Sequence, residues 1–246
     1  MNKEFFQKTE KLYHYTSVAF ALKILCSKSL RFSELKRMND INEAHRNIFY
    51  NNNISETSVN NELNKYRQIS LTRDNAHYCG YGIPAMWGHY AEKGNGVCLA
   101  FDKKKLLSLL GSKMIKGNIQ YKKSYNGDIL INQENIPSFF KKNIRNLFFT
   151  KTKDWSYEQE FRILTKTNSP EPIYLQYQDS IMAIIMNYTE DNNFSKNIFD
   201  SYIAKIFKHT FPDIPVLEFS GWFEQFNLRD ENGNDWNCQP NYKIDL

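Results

Sequence analysis

Residues 151–164 read KTKDWSYEQEFRIL, and this stretch decides what kind of sheet the chain can form. From residue 158 to 165 polar and apolar residues alternate, which is typical of a β-strand. Because successive strand side chains point to opposite faces, Glu158, Glu160 and Arg162 share one face of the predicted strand. Such a face is well tolerated in water, whereas under cover its carboxylates need charged partners. The stretch therefore predicts either a solvated strand face or the floor of a polar site.

Charged neighbours decide how these glutamates behave if the face is covered. An arginine beside Glu160 keeps that carboxylate ionised, so that it can accept hydrogen bonds or stabilise a developing positive charge. Arg162 and Lys151 are the two cations of the stretch that can fill this role. We expect Lys151 and Trp155 at the rim of a site whose floor carries the glutamates.

Short strands and helices alternate along the rest of the chain, without an internal repeat or a low-complexity linker. Strands are predicted at residues 12–15, 30–35, 67–72, 97–102, 114–121, 158–165, 172–177, 181–186 and 216–219. Helices are predicted at residues 17–27, 84–93, 103–110, 136–149 and 193–210, and a turn followed by a helix with Asp40 as its cap is predicted within residues 36–50. This order predicts a single α+β domain over residues 1–246, with mixed, largely antiparallel sheets and flanking helices. Residues 166–219 form its C-terminal strand–helix–strand part, and residues 220–246 form an irregular tail.

The composition is that of an ordinary globular chain and demands no particular partner. Apolar residues make up 41% of the 246 residues, which is enough to bury a sizeable core. A net charge of +5 permits a nucleotide or nucleic-acid partner without requiring one. The four cysteines have no zinc-site spacing. Because the sequence shows neither a secretion signal nor an apolar run of membrane-spanning length, we expect a cytoplasmic protein with no membrane partner. Its oligomeric state stays open.

Two further segments carry groups that suit a binding cleft. His14 lies in a predicted strand, and its ring nitrogens can bind a ribose hydroxyl or a carbonyl, although a histidine buried in the core is the commoner outcome. Trp87 and Tyr90 lie three residues apart on a predicted helix and share a face, whereas His89 lies on another face. Two aromatic residues on one face usually belong to the core, but they also form walls for flat rings.

A third segment contains Asp40 and Glu43, which lie three residues apart at the start of a predicted helix. This spacing is typical of a helix cap, and it also brings two oxygen ligands of a hard metal to one side. Together with Glu158, Glu160 and either His14 or His89, the pair can gather Mg²⁺ ions for a metal-dependent nuclease or phosphodiesterase. The sequence contains no Walker loop, dinucleotide glycine fingerprint, serine elbow, HExxH site or CxxC pair, which excludes several common enzyme classes by local motif.

Seven segments together resemble a bacterial family known as domain of unknown function 2971. They are YHYTS, RFS, MNDINEA, ISLT, MWGHYAEKGNGVCLAFD, IQY and KTKDWSYEQEFRIL, in this order over about residues 12–165. The last apolar strand, helix and strand also resemble the family's C-terminal part. Ile41 stands where the family often has proline. The family by itself implies no activity.

The N-terminal segment LYHYTSVAFALKIL also resembles the start of ADP-ribosyltransferase-like folds. In those folds a histidine on the first strand binds NAD, a middle strand with Ser, Thr or Tyr follows, and a late strand carries a catalytic glutamate. The resemblance implies catalytic roles for His14 and for Glu160 or Glu158, between which the spacing does not choose. It implies NAD as substrate, without a metal. The residues that it implies around NAD are Tyr13, Tyr15, Thr16, Ser70, Thr72, Trp87, His89, Tyr90, Lys151, Trp155 and Arg162.

We therefore expect an ADP-ribosyltransferase-like enzyme that transfers ADP-ribose to a protein, a nucleic acid, a small molecule or water. The resemblance further implies a toxin or phage-defence setting in a bacterium. Two alternatives stay open: the metal-dependent nuclease or phosphodiesterase, and a module that binds a nucleotide without catalysis.

Overall fold

A computed structural model describes residues 3–38, 40, 48–50, 54–75, 79–123, 129–131, 135–187, 201–220 and 227–238. The strands are β1 (Lys11–Thr16), β2 (Ser29–Arg31), β3 (Ser33–Glu34), β4 (Ile48–Tyr50), β5 (Tyr66–Arg73), β6 (Val97–Asp102), β7 (Ile115–Asn118), β8 (Gln120–Lys122), β9 (Ile129–Ile131), β10 (Thr150–Thr152), β11 (Glu160–Lys166), β12 (Tyr174–Gln176), β13 (Ile181–Asn187), β14 (Val216–Ser220) and β15 (Asn227–Arg229). The helices are α1 (Lys3–Lys8), α2 (Val18–Ser27), α3 (Glu56–Leu63), α4 (Pro84–Tyr90), α5 (Lys103–Ser108), α6 (Ile136–Lys142), α7 (Ile144–Phe148) and α8 (Tyr202–Thr210). No helix among these residues is long and apolar enough to cross a membrane.

One large sheet organises the molecule. Its strands follow the order β15-β14-β13-β6-β1-β5-β11-β7, and β3 pairs with β5 beside this path. All its pairings are antiparallel except that of β13 with β14. Three pairs of short strands lie apart from it, β8 with β10, β2 with β12 and β4 with β9. The predicted α+β class with a mixed, largely antiparallel sheet is therefore confirmed.

The middle of the sheet is buried on both faces. Strand β6 has the continuous apolar sequence VCLAFD, and every one of its residues is buried. Because side chains alternate, Leu99 and Phe101 pack into one core while Cys98 and Ala100 pack into the other. Burying a side chain as large as Phe101 contributes about 1.5–3 kcal/mol to folding. The strands beside β6 are therefore held as a rigid frame.

Strand β5 has a continuous partner on one side and an interrupted one on the other. Strand β11 pairs with it along its length, from Thr72 opposite Glu160 to Tyr66 opposite Lys166. On the opposite side, β1 pairs only with residues 72–73 and β3 only with residues 67–68. Residues 69–71 have no strand partner there within the described part of the chain. The sheet is thus open between β1 and β5.

Several predicted elements are shorter than their sequence patterns indicated. Strand β11 begins at Glu160 and not at residue 158, because Gln159 has a left-handed backbone (φ 47°, ψ 44°) after a 3₁₀ helix, Lys153–Glu158. The strand predicted at residues 114–121 divides into β7 and β8, and the helix predicted at residues 136–149 divides into α6 and α7. The helix predicted within residues 36–50 is wrong at its end, because residues 48–50 form β4, while residues 41–47 lie outside the described residues. Glu158 therefore reaches its position from a turn and not from the strand.

Candidate functional site

A cavity of about 260 Å³ lies at the opening between β1 and β5. Residues from both faces of β5 line it, including Ile69 and Leu71 on one face and Ser70 and Thr72 on the other. Most of the predicted site residues line this cavity: Tyr13, His14, Tyr15, Asp40, Ser70, Thr72, Tyr90, Lys151, Glu158 and Glu160. Residues that are distant in the sequence thus meet in one place.

Two glutamates and two cations form a charged cluster at one end of the cavity. Lys151 Nζ donates to Glu158 Oε2 at 2.6 Å and lies 2.9 Å from Glu160 Oε2. On the other side of Glu160, Arg162 donates from Nε to Oε1 at 2.7 Å and from Nη2 to Oε2 at 2.9 Å. All four side chains are buried, and their formal charges cancel. A two-pronged guanidinium contact of this kind fixes the plane of the Glu160 carboxylate.

The two glutamates have opposite tendencies to bind a proton. Burial alone would raise the pKa of Glu160, but Arg162 and Lys151 outweigh it and hold that pKa far below the ordinary range. Burial raises the pKa of Glu158 above its ordinary value, and although Lys151 opposes this, the neighbouring Glu160 charge adds to the rise. Glu160 is thus kept as a carboxylate, whereas Glu158 is the more readily protonated of the pair.

Neighbouring strands and helices hold both glutamates by hydrogen bonds. The Tyr90 hydroxyl, at the end of α4, donates to Glu158 Oε1 at 2.5 Å. The Ser70 side chain, on β5, also helps to lower the pKa of Glu160. The Tyr121 hydroxyl accepts the backbone N–H of Glu160 at 2.8 Å. Each carboxylate is therefore oriented before any ligand arrives.

His14 lies at the point where β1 separates from β5. Burial lowers the pKa of its imidazole, and a hydrogen bond to the backbone of Ser70 opposes that change only in part. A neutral imidazole keeps one nitrogen as donor and the other as acceptor. Next to it, the Tyr15 hydroxyl donates to the Gly80 carbonyl at 2.5 Å and fixes the cavity wall.

Five of the residues predicted around NAD do not line the cavity. Trp87 belongs to the core, where it stacks on Phe219 with ring centroids 5.8 Å apart, so only Tyr90 of the predicted aromatic pair reaches the site. Arg162 stands behind Glu160, and Trp155 packs against Lys151, whose Nζ is 5.3 Å from its ring. The other two are Thr16, which pairs with Val97 in the sheet, and His89, which is exposed.

The alternative metal site receives little support from the described residues. Asp40 is buried and lines the cavity, whereas Glu43 lies outside the described residues. Among the residues that the structure describes, no three histidine, cysteine or carboxylate side chains are grouped so that they could hold a metal ion. Lys151 and Arg162 already neutralise the two glutamates that such an ion would need.

The cavity also contains residues that the sequence patterns did not single out. Gln68 is one that strand alternation could have found, because it lies two residues before Ser70 and therefore on the same face of β5. Ile69 and Leu71 belong to the same strand, and four further residues carry no local signal that distinguishes them: Arg31, Ser33, Met38 and Met86. They reach the cavity through the pairing of β3 with β5 and the packing of α4, which only the fold reveals.

The family model described as "Protein of unknown function (DUF2971)" matches residues 86–163. This segment runs from α4 to β11 and contains Tyr90, Lys151 and both glutamates of the cluster. The comparisons with curated proteins and with solved structures gave no match. The resemblance to this family seen in the sequence is therefore confirmed over residues 86–163.

Proposed function

We propose that this protein is an ADP-ribosyltransferase-like enzyme that cleaves the bond between nicotinamide and ribose in NAD. One observation carries the proposal: His14, Ser70 and Glu160 come from three adjacent strands and line a single cavity. That combination corresponds to the histidine, the hydroxyl residue and the late glutamate that the sequence resemblance implies. The acceptor of ADP-ribose is a protein, a nucleic acid, a small molecule or water.

The charge state of Glu160 suits this chemistry. When the bond from ribose C1′ to the nicotinamide nitrogen breaks, its electron pair leaves with nicotinamide and positive charge develops on the ribose ring. A carboxylate that stays ionised and is already oriented stabilises such a charge. Arg162 and Lys151 supply both conditions for Glu160, while Tyr90 offers an aromatic wall for nicotinamide.

Glu158 fits a different role in the same reaction. The acceptor hydroxyl or amine loses its proton as it forms the new bond to C1′, and that proton needs a base nearby. Glu158 has the raised pKa of the pair, lines the cavity and hydrogen-bonds Tyr90. Two carboxylates whose pKa values are driven apart commonly divide the roles of electrostatic stabiliser and proton acceptor.

Nicotinamide release from NAD tests the proposal directly. We expect wild-type protein to release nicotinamide, or to bind NAD while it awaits its acceptor, and Glu160→Gln to lose about 100-fold or more of the release rate. Glu231→Gln, at an exposed glutamate that pairs with Lys208, is the matched control and keeps full activity. Unfolding of each variant is measured in parallel, because Glu160 also balances buried cations.

Two outcomes would overturn the proposal in different ways. Wild-type protein that neither releases nicotinamide nor binds NAD, with protein, nucleic-acid and small-molecule acceptors supplied, would remove its basis. NAD binding that is equal in wild type and in a folded Glu160→Ala variant, without turnover in either, would instead indicate a non-catalytic nucleotide-binding module.

A further inference from the structure

Two residues of the cavity lining, Tyr13 and Gln68, each carry a buried polar atom that lacks a hydrogen-bond partner within the described part of the chain. The amide oxygen of Gln68, a residue that is only 1% exposed, is the one of the two that can only accept a hydrogen bond. Its amide nitrogen is engaged, donating to Ser70 Oγ at 3.3 Å and to Met38 Sδ at 3.1 Å. A buried acceptor left without a donor destabilises the free protein, so such an atom points to a partner outside the protein.

A cation lies at the same end of the cavity. Arg31 lines it and is exposed at its mouth, and among the described residues no carboxylate lies within ion-pair distance of its guanidinium. By contrast, both cations at the glutamate end are already paired. The Arg31 guanidinium is therefore available to bind an anionic group of a ligand, and phosphate fits its geometry.

This end of the cavity is separated from the glutamates along the backbone of β5. Glu160 lies opposite Thr72, and Gln68 is four residues further along β5, which corresponds to about 13 Å between these two backbone positions. The two ends can thus hold different parts of one dinucleotide. The side chains approach each other more closely than the backbones, because the Gln68 amide donates to Ser70 Oγ and the Ser70 side chain also helps to lower the pKa of Glu160.

We propose that Gln68 and Arg31 form a second subsite, in which Gln68 accepts an N–H of the ligand and Arg31 binds its phosphate. The inference rests on the proposed function and extends it, since NAD carries both groups. Two parts of NAD offer a suitable N–H, the 6-amino group of adenine and the carboxamide of nicotinamide. With nicotinamide against Tyr90 at the glutamate end, the adenine amino group is the donor that reaches Gln68.

Dinucleotide analogues distinguish the two donors. Nicotinamide hypoxanthine dinucleotide lacks the adenine amino group, and nicotinic acid adenine dinucleotide lacks the carboxamide. By calorimetric titration we expect wild type to bind NAD about tenfold more tightly than the hypoxanthine analogue, a ratio that falls to about one in Gln68→Met. If only the nicotinic acid analogue binds wild type more weakly than NAD does, and Gln68→Met abolishes this difference in affinity, the subsite stands and the carboxamide is its donor.

Arg31→Met tests the phosphate contact in the same titrations. We expect it to weaken NAD binding about tenfold and to leave the preference between NAD and the hypoxanthine analogue unchanged. Arg229→Met and Gln176→Met, at exposed residues of β15 and β12, are the matched controls and leave binding as in wild type. Wild-type affinity for NAD in Arg31→Met would remove Arg31 from the subsite.

Stability of the free protein tests the role of Gln68 without any ligand. Because Gln68→Met removes an unpaired buried acceptor and keeps the side-chain length, we expect its unfolding midpoint to equal or exceed that of wild type. A clearly lower midpoint would show that Gln68 serves the fold and would overturn the subsite.

If wild type binds none of the three dinucleotides, the proposed function fails, while an unchanged midpoint still supports a ligand donor at Gln68. If all three bind equally well, the subsite fails and the proposed function stands.

Discussion

Removal of Lys151 should unbalance the charged cluster by one unit and destabilise the protein strongly. Its side chain and that of Glu158 are each 5% exposed, and Nζ lies 2.6 Å from Glu158 and 2.9 Å from Glu160. At an effective dielectric constant of about 20, each contact contributes about 6 kcal/mol of gross attraction, most of which offsets desolvation. Loss of one partner of a buried pair typically costs about 3–5 kcal/mol, and we expect Lys151→Met to fall in this range at pH 7.

Protonation of a neighbouring glutamate can reduce the loss of folding free energy in Lys151→Met. In Lys151→Met the surplus charge is removed when Glu158 binds a proton, which at pH 7 costs about 3.7 kcal/mol for a carboxyl of ordinary pKa and at pH 5 about 1 kcal/mol. The double variant Lys151→Met/Glu158→Gln never carries that charge. It should therefore be more stable than Lys151→Met by about 3 kcal/mol at pH 7 and by about 1 kcal/mol or less at pH 5.

Urea unfolding followed by tryptophan fluorescence measures these differences for wild type and the single and double variants at both pH values. Lys208→Met is the matched control, because Lys208 pairs with Glu231 at the surface, with side chains 29% and 58% exposed, and its loss should cost less than about 1 kcal/mol. A double variant no more stable than Lys151→Met at pH 7 would refute the charge balance assigned to the cluster.

Two more predictions separate the site from the frame that supports it. The pKa of Glu160 is lower in the folded state than in the unfolded state, where it is about 4.3, so this carboxylate stabilises the fold above that pH. The stabilisation is lost as the pH falls towards the folded pKa. Unfolding midpoints measured from pH 5 to pH 2 should therefore fall less steeply in Glu160→Gln than in wild type. Trp87→Ala should cost about 3–5 kcal/mol in urea unfolding because it leaves a core cavity, whereas Tyr90→Phe should cost about 1 kcal/mol and act chiefly on nicotinamide release.

The sequence carried more information about strand faces than about strand limits. Alternation placed Glu160 and Arg162 on one face, and the structure pairs them there. It could not reveal that Gln159 adopts a left-handed conformation, which ends the alternation at residue 159. No glycine marks this position, where the backbone N–H and the side-chain amide of Gln159 both donate to the Ser156 carbonyl. Glu158 still lies beside Lys151, because the turn directs its side chain there.

For the aromatic residues, helical spacing predicts a shared face but not which residue is buried. Helical spacing placed Trp87 and Tyr90 on one face, but the helix packs Trp87 into the core between Tyr15 and Phe219 and leaves Tyr90 at its end beside the cavity. Which of two equivalent positions is buried depends on how far the helix extends beyond the sheet. Arg31 and Ser33 were beyond reach for a related reason, since their place depends on which strand pairs with β5.

The opening between β1 and β5 makes a strand in the middle of a sheet behave locally as an edge. Within the part of the chain that the structure describes, the main-chain donors and acceptors of residues 69–71 that face this opening take no part in a strand ladder, apart from the contact with His14. A ligand that inserts here can be recognised by the polypeptide backbone itself. Such recognition survives the exchange of side chains, so alanine scanning of these positions will understate their share in binding, and replacement of single amides by esters is the way to measure it.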